Sequence, residues 1–258
     1  PDGTAVISLD DPRGKILAAE TEKHRRTITF GTAHDAQWRI SDAEIDFRGS
    51  RFTLGGEGKK LPIFTRLVGM HNIRNLTGAL LAARSLGAPD DILVEAAAQN
   101  IAIPGRLERF DLPSGATAFV DYAHTDDALA NVLGILREIG KGKTIVVFGA
   151  GGDRDKSKRP RMGRVAAQFA DAIYVTSDNP RSEEPEKILD EIVSGIPAGH
   201  HFRRIADRRA AIEAAVADSG KGDIVLVAGK GHETYQEING IRRFFSDAAV
   251  LTALGGKT

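Results

Sequence analysis

Short apolar, β-branched segments alternate with amphipathic helical segments throughout the second half of the chain. We predict strands over residues 118–120, 144–148, 172–175 and 224–227, with one of the intervening helices near 163–169. Strands that are apolar along their whole length are typical of a parallel sheet that helices cover on both faces. The sequence therefore predicts an α/β domain built on a mostly parallel sheet.

The first part of the chain has a different pattern, in which short strands precede two helices. Strands are predicted at 5–9, 27–30, 38–40, 45–47 and 52–54, the last three as exposed antiparallel strands. The glycine-rich segment 55–60 is predicted as a turn, and helices are predicted over 72–86 and 90–100. We place a domain boundary near Pro104, with residues 1–103 in one domain and 104–258 in the other.

Composition excludes several classes of protein. The chain has 35 basic and 35 acidic residues and no cysteine. Zero net charge argues against a dedicated nucleic-acid-binding protein, and the missing thiols exclude a cysteine nucleophile or a cysteine-ligated metal. No apolar run approaches the roughly 18 residues that a membrane-spanning helix needs. We expect a cytoplasmic protein that binds neither nucleic acid nor membranes.

The chain begins at Pro1 and not at methionine, and no targeting sequence follows. We therefore expect it to be a piece of a longer polypeptide.

A polar run that contains small residues follows each of the four predicted strands of the second domain. The runs begin at Asp121, Gly149, Ser177 and Ala228. Ligands bind outside the carboxyl ends of parallel strands, so we expect the four runs to line one edge of the sheet. Any one run alone would more often be a solvated turn, and it is their combination that favours a binding site.

The charged residues in these runs fit an amino acid with more than one carboxylate. Arg154 and Arg181 can each bind a carboxylate through two N–H groups. Asp178 and Glu233 can each accept hydrogen bonds from an ammonium group. The predicted site therefore suits a zwitterion such as a diamino diacid.

Two other kinds of site are disfavoured. The run from Gly149 to Gly152 lacks the third glycine of the dinucleotide-binding fingerprint, and the next helix is predicted to begin late, after Pro160. This argues against a nicotinamide dehydrogenase. The histidines at positions 24, 34, 200 and 201 have no ligand-like neighbours, so we predict no metal site.

Read in full, the four runs resemble the motifs of the Mur ligases of peptidoglycan synthesis, in particular of the members that add meso-diaminopimelate. The matching segments are 121–125, 151–163, 177–181 and 228–236, with 10–12, 69–75 and 105–108 upstream of them. The resemblance implies a Rossmann-like C-terminal domain that binds the incoming amino acid. Before it would come the last part of the central ATP-binding domain of the family.

The resemblance also implies a reaction, an ATP-dependent amide-bond ligation. In this family ATP phosphorylates the D-glutamate carboxylate of a UDP-N-acetylmuramoyl dipeptide, and the amino group of the incoming amino acid attacks the acyl phosphate. Mg²⁺ is a further cofactor, which the resemblance implies is held mainly through family segments that have no counterpart in this sequence. An Asp-Asn-Pro-Arg sequence is associated with diaminopimelate, since lysine lacks the second carboxylate that Arg181 would neutralise.

Site residues follow from the same resemblance. Those implied for diaminopimelate are Arg154, Asp178, Asn179, Pro180, Arg181, Gly229 and Glu233. Those implied for ATP are Asn72, Asn75, Arg106, Asp121 and His124.

Asn72 and Asp121 could instead simply cap their helices. Asp126 stands where the family commonly has proline, and both residue types suit a helix start. No catalytic base is assigned.

Two features of the family have no counterpart in this sequence: the domain that holds the uridine nucleotide, and the opening of the central domain with its P-loop and carbamylated lysine. We expect this polypeptide alone not to turn over, because P-loop amides are needed to hold the ATP phosphates. Three alternatives stay open: a non-catalytic amino-acid-binding α/β module, a lysine-adding ligase, and a folylpolyglutamate-type ligase of the same superfamily.

Overall fold

The structure is a computed structural model that describes residues 3–99 and 103–258 of the chain. The chain divides into two compact units, residues 1–102 and 103–258. No helix in the described ranges is both long enough and apolar enough to cross a membrane.

The first unit is built on a five-stranded sheet in the order β1-β2-β3-β4-β5. Its elements are β1 (Ala5–Ser8), α1 (Pro12–Thr21), β2 (Thr27–Gly31), β3 (Trp38–Asp46), β4 (Gly49–Gly56), β5 (Lys59–Thr65), α2 (Met70–Ser85) and α3 (Asp90–Ala98). Strands β1 to β3 pair in parallel and β3 to β5 pair antiparallel. Alternate residues of the antiparallel strands, among them Trp38, Phe52 and Ile63, form one core with α2 and α3.

Two predictions for this unit are wrong in detail. The strands predicted at 38–40 and 45–47 are one strand, β3, whose register shifts between Ser41 and Glu44. The turn predicted over 55–60 contains only Glu57 and Gly58, and both have positive φ (51° and 75°). A two-residue hairpin turn with positive φ at both residues matches the right-handed twist of the two strands, so the strands continue up to it. The predicted end of the second helix at Asn100 lies outside the described residues.

Helix α1 has no counterpart in the sequence prediction, although its start carries a recognisable signal. The Asp11 side chain accepts a hydrogen bond from the backbone N–H of Arg13, and Pro12 is the first helical residue. An N-cap aspartate followed by proline is typical of a helix start.

The second unit is built on a six-stranded sheet in the order β10-β9-β8-β11-β7-β6. Its elements are β6 (Glu108–Asp111), β7 (Thr117–Asp121), α4 (Asp126–Ile139), β8 (Thr144–Phe148), α5 (Lys158–Phe169), β9 (Ala172–Val175), α6 (Pro185–Val193), β10 (Phe202–Arg204), α7 (Arg208–Ala217), β11 (Ile224–Ala228), β12 (Tyr235–Ile238), β13 (Ile241–Phe244) and α8 (Asp247–Ala253). Five strands run parallel and only β6 is antiparallel to its neighbour β7. The predicted mostly parallel α/β fold is confirmed.

Helices bury both faces of this sheet. Alternate residues of β7, β8 and β11 pack with α7 and α8 in one core cluster. The remaining residues of β8 and β11 are buried too, and α4 contacts both strands. The apolar strands of the sequence pattern are therefore the interior strands of the sheet.

The helix that follows β8 begins at Lys158 and not after Pro160 as predicted. Pro160 lies in the first turn of α5, where a proline costs little because the N–H groups of that turn have no helical partner. The segment between β8 and α5 is therefore shorter than the sequence indicates.

Candidate functional site

The four polar runs meet at one edge of the parallel sheet. Phe148 at the end of β8 pairs with Val175 at the end of β9. Ala228 at the end of β11 pairs with Asp121 at the end of β7. Because the strands end level with one another, the loops that leave them lie side by side.

The loop after β8 lies directly against the loop after β9, and only glycine fits at the contacts. A Cβ atom on Gly149 would lie 2.2 Å from the carbonyl oxygen of Thr176, and one on Gly152 would lie 1.9 Å from that of Pro180. The Gly152 N–H donates to the Asn179 carbonyl at 2.9 Å. The glycine run therefore lets two backbone segments approach each other.

The two arginines predicted to bind carboxylates both approach Gly151. A Cβ atom on Gly151 would lie 2.9 Å from Arg181 Nη1 and 3.8 Å from Arg154 Cγ. Arg181 Nη1 donates to the Gly152 carbonyl at 2.6 Å, and Arg154 Nη1 donates to the Asp153 carbonyl at 3.3 Å. Within the described ranges neither guanidinium forms an ion pair. Both therefore offer positive charge to an anion.

Asp178 offers a carboxylate next to the β11 loop. Its side chain accepts no hydrogen bond from any described residue, although the residue is only 8% exposed. A Cβ atom on Gly229, whose φ is +116°, would lie 2.6 Å from Asp178 Oδ2. Gly229 therefore makes room for the carboxylate. Asp178 also affects the pKa of Lys158. Burial lowers that pKa, and the negative charge of Asp178 partly offsets this by raising it.

The side chains of Asn179 and Glu233 are hydrogen-bonded to each other. Asn179 Nδ2 donates to Glu233 Oε2 at 2.8 Å. The buried Lys230 ammonium donates to Asn179 Oδ1 and to Glu233 Oε2, each at 3.0 Å. Pro180 is also buried and ends this part of the loop. Lys230 lies inside one of the predicted runs, but its position between two site residues was not predicted.

A second unpredicted group joins the loops that carry Arg154 and Arg181. The fully buried Arg159 binds both oxygens of Glu183 at 2.9 and 3.1 Å and donates to the Gly151 carbonyl at 3.2 Å. The Asp153 N–H donates to Glu183 Oε1 at 2.7 Å. The Arg159–Glu183 pair therefore holds the two arginine-bearing loops together.

Stability should depend on the charge of Glu183. Hydrogen bonds from Arg159 and Lys156 lower the pKa of Glu183 from its ordinary value of 4.5 to about 2. A carboxylate with a lowered pKa stabilises the fold above its ordinary value, and this contribution is lost as the pH falls toward the folded value. We expect the fall in unfolding free energy between pH 5 and pH 2, measured by urea denaturation, to be smaller in Glu183→Gln than in the unchanged chain. Glu213→Gln, at an exposed glutamate, is the control and should show the same fall in unfolding free energy as the unchanged chain. Equal pH dependence in all three proteins would contradict the role of the Glu183 charge in stability.

A buried ion pair between Arg208 and Asp247 lies next to the ends of β9 and β11. Arg208 binds both oxygens of Asp247 at 2.8 and 2.7 Å, and both side chains are fully buried. The same guanidinium donates to the Ala228 carbonyl at 2.9 Å and to the Ser177 carbonyl at 3.3 Å. Arg208 therefore fixes the points at which the β9 and β11 loops begin.

Three of the residues predicted for ATP lie in the second unit, around Tyr122. The Tyr122 ring lies 4.7 Å from the ring of His124 and 5.3 Å from that of His232, and the Arg106 guanidinium lies 5.4 Å from its centroid. His124 Nδ1 lies 2.8 Å from the Tyr122 carbonyl, which can only accept, so Nδ1 carries the proton. The cluster presents flat, partly cationic surfaces on which a base can stack.

Asp121 organises the backbone beside this cluster. Its two oxygens accept the N–H groups of Leu107 at 2.9 Å and Ala123 at 2.8 Å. Burial raises the pKa of Asp121, against the opposing effect of those two hydrogen bonds. The helix-cap alternative is wrong for Asp121, since Thr125 caps α4. Asp126, the departure from the family pattern, is the first residue of that helix and pairs with Arg161 at 2.8 Å.

The other two residues predicted for ATP lie on α2 of the first unit. Asn72 is 4% exposed, and its Nδ2 donates to the Val68 carbonyl at 2.8 Å. It does not cap the helix, whose N-cap is Gly69. Asn75 is exposed. The amide of Asn72 therefore has a local structural bond, whereas Asn75 is an exposed residue.

A magnesium site is not found in the described residues. In the ranges 3–99 and 103–258, no three histidine, aspartate or glutamate side chains lie together in a way that could hold a metal ion.

Two models of Mur ligase domains match the sequence. The model described as Mur ligase middle domain matches residues 1–83, and the one described as Mur ligase, glutamate ligase domain matches residues 105–231.

Individual relatives match over almost the whole chain. The UDP-N-acetylmuramoyl-L-alanyl-D-glutamate--2,6-diaminopimelate ligase of Aquifex aeolicus is 43% identical over 251 residues, which are 97% of this chain and 51% of the relative. The ligase of the same name from Chlorobaculum tepidum is 42% identical over 263 residues, 98% of this chain and 51% of the relative. A solved structure of a protein of that name superposes with a TM-score of 0.69 at 37% identity, covering 97% of this chain and 52% of that one. The chain spans about half the length of the curated relatives it matches.

Proposed function

Because the chain belongs to the Mur ligase family, we propose that it carries the diaminopimelate-binding side of an ATP-dependent amide-bond ligase. The reaction would add meso-diaminopimelate to UDP-N-acetylmuramoyl-L-alanyl-D-glutamate during peptidoglycan synthesis. The names of the relatives support this substrate pair, and the cytoplasm is the compartment we propose for it.

The observation that carries the proposal is the pair of arginines beside Gly151, neither of which forms an ion pair with another described residue. Two guanidinium groups on adjacent loops suit a ligand with two carboxylates, and each can form two parallel hydrogen bonds to one carboxylate. Lysine has one carboxylate and would leave one guanidinium without an anion. This charge count favours a diaminopimelate-adding ligase over a lysine-adding one.

The acidic side of the site would take the ammonium groups of the ligand. Asp178 is nearly buried and accepts no hydrogen bond from described residues, so a ligand ammonium would supply its side chain with a hydrogen-bond donor. Glu233 Oε1 has no hydrogen-bond partner in the described ranges either. Opposite charges on two sides of one site orient a zwitterion and reject ligands of a single charge.

The reaction we propose needs the amino group of diaminopimelate held close to an acyl phosphate. The loops after β8, β9 and β11 would hold the amino acid. Holding it in place converts the bimolecular attack of its amino group into an effectively unimolecular step. ATP supplies the phosphoryl group that activates the D-glutamate carboxylate. In the second unit, the residues we propose for nucleotide binding are the Tyr122 cluster and Asp121. In the first unit, considered by itself, they are Asn72 and Asn75.

Replacing Arg181 with alanine should weaken the binding of meso-diaminopimelate to the 258-residue chain. Loss of a charge-assisted contact costs about 1.5–3 kcal/mol, so we expect the dissociation constant to rise roughly 10- to 150-fold by isothermal titration calorimetry. Arg164→Ala, at an exposed arginine of α5, is the matched control and should bind as the unchanged chain does. Equal affinities of Arg181→Ala and Arg164→Ala, or no measurable binding by the unchanged chain, would contradict the proposal.

A further inference from the structure

We infer that Lys230 is a positioning residue, which fixes the Asn179 amide and the Glu233 carboxylate in the orientation that the amino-acid ligand requires. The inference rests on the function proposed above, since it concerns the same site. Neither the sequence motifs nor the names of the relatives assign a role to this side chain.

The Lys230 side chain is fully buried. An ammonium group in such a place is costly unless it is paired and hydrogen-bonded. Its Nζ donates to Asn179 Oδ1 and Glu233 Oε2 at 3.0 Å each, and it lies 5.5 Å from the centroid of the Tyr235 ring. Lys230 therefore has defined partners, and two of them are residues predicted to bind the ligand.

These contacts allow only one orientation of the Asn179 side-chain amide. Its Oδ1 accepts from Lys230 Nζ and also from the backbone N–H of Glu237 at 3.0 Å. Both partners are donors only, so the amide cannot rotate by half a turn without placing its NH₂ group against them. One Nδ2 hydrogen is donated to Glu233, which leaves the other N–H for a ligand. Asn179 is thus set to donate, and a carboxylate is the group it suits.

Glu233 is fixed in the same way. Its Oε2 accepts from both Asn179 and Lys230, while Oε1 accepts from no described residue. The carboxylate is therefore held by one oxygen and offers the other. A ligand ammonium would meet an acceptor whose position is set before binding, which reduces the ordering cost of association.

Positioning and simple charge balance predict opposite effects. If Lys230 only neutralised Glu233, its removal would leave a stronger negative charge and would strengthen the binding of a ligand ammonium. If Lys230 positions the two side chains, its removal lets the Asn179 amide rotate and Glu233 move, and binding weakens.

The test is the affinity of Lys230→Met for meso-diaminopimelate, measured by calorimetry. We expect binding about tenfold weaker than in the unchanged chain, since one charge-assisted contact network is lost. In an Asn179→Ala, Glu233→Gln background the same substitution should cost nothing further, because Lys230 acts through those two residues. Leu136→Ala, in the buried face of α4, controls for lost stability and should leave the affinity unchanged. If Lys230→Met does not fold, Lys230→Gln, which keeps a donor but no charge, serves for the same comparison.

A second readout does not depend on diaminopimelate. The side-chain amide signals of Asn179, assigned by NMR, should shift in Lys230→Met and stay in place in Leu136→Ala. Unchanged Asn179 signals, or unchanged or tighter binding by Lys230→Met while the unchanged chain binds meso-diaminopimelate, would overturn the inference and leave the proposed function standing. If the unchanged chain does not bind meso-diaminopimelate, the proposed function fails, and the Asn179 signals alone decide whether Lys230 fixes this amide.

Discussion

Replacing Arg208 with methionine should destabilise the second unit by about 3–5 kcal/mol, the usual cost of breaking a buried ion pair from one side. The substitution would leave the carboxylate of Asp247 fully buried without its partner. It would also remove the donors that bind the carbonyls of Ser177 and Ala228, at the ends of β9 and β11. Urea denaturation followed by circular dichroism measures the effect.

The matched variant removes both charges. In Arg208→Met, Asp247→Leu no buried charge is left alone, and replacing a buried pair by apolar side chains is often close to neutral. We expect this double variant to recover most of the lost stability. A double variant as unstable as Arg208→Met would show that the cost comes from lost packing or carbonyl contacts and not from the unpaired carboxylate.

Replacing Gly152 with alanine should abolish the binding of meso-diaminopimelate. The added Cβ would lie 1.9 Å from the Pro180 carbonyl oxygen, which is backbone and cannot move aside alone. The loop after β8 must then separate from the loop after β9. This breaks the bond from Gly152 N–H to Asn179 and the bond from Arg181 to the Gly152 carbonyl. Overpacking of this kind costs about 1–3 kcal/mol of stability as well.

Gly134→Ala is the control for this substitution. Gly134 lies in the middle of α4, and a Cβ there would meet only the Phe169 ring at 3.9 Å, an ordinary contact. Alanine is the better helix former by about 1 kcal/mol, so this variant should be slightly more stable and bind normally. If Gly152→Ala bound meso-diaminopimelate as well as Gly134→Ala does, the close contact of the two loops would not matter to the site.

The interior of the parallel sheet could be predicted from the sequence, but its edges could not. The strands β7, β8, β9 and β11 are apolar along their length because helices cover both faces, and this leaves a clear pattern. The edge strand β10 and the hairpin strand β13 are exposed at every residue, so no apolar periodicity marks them. Helix α5 begins earlier than the pattern indicates because a first-turn proline does not prevent a helix from starting.

The charged residues of the candidate site could also be located from the sequence, because they lie in four short runs that follow the strands. The groups that hold them in place could not. Lys230 meets Asn179 across 51 residues, Arg208 meets Asp247 across 39, and Arg159 meets Glu183 across 24. Contacts over such distances depend on the order of the strands, and no local pattern in a single sequence records that order.

Calorimetric comparison of meso-diaminopimelate with L-lysine on the unchanged 258-residue chain tests the central claim most directly. The two ligands share an α-amino acid group and differ at the far end, where only diaminopimelate has a second carboxylate. The two arginines beside Gly151 predict that meso-diaminopimelate binds at least about tenfold more tightly, the effect of one charge-assisted contact. Equal affinities for the two ligands would contradict the assignment of this site to diaminopimelate.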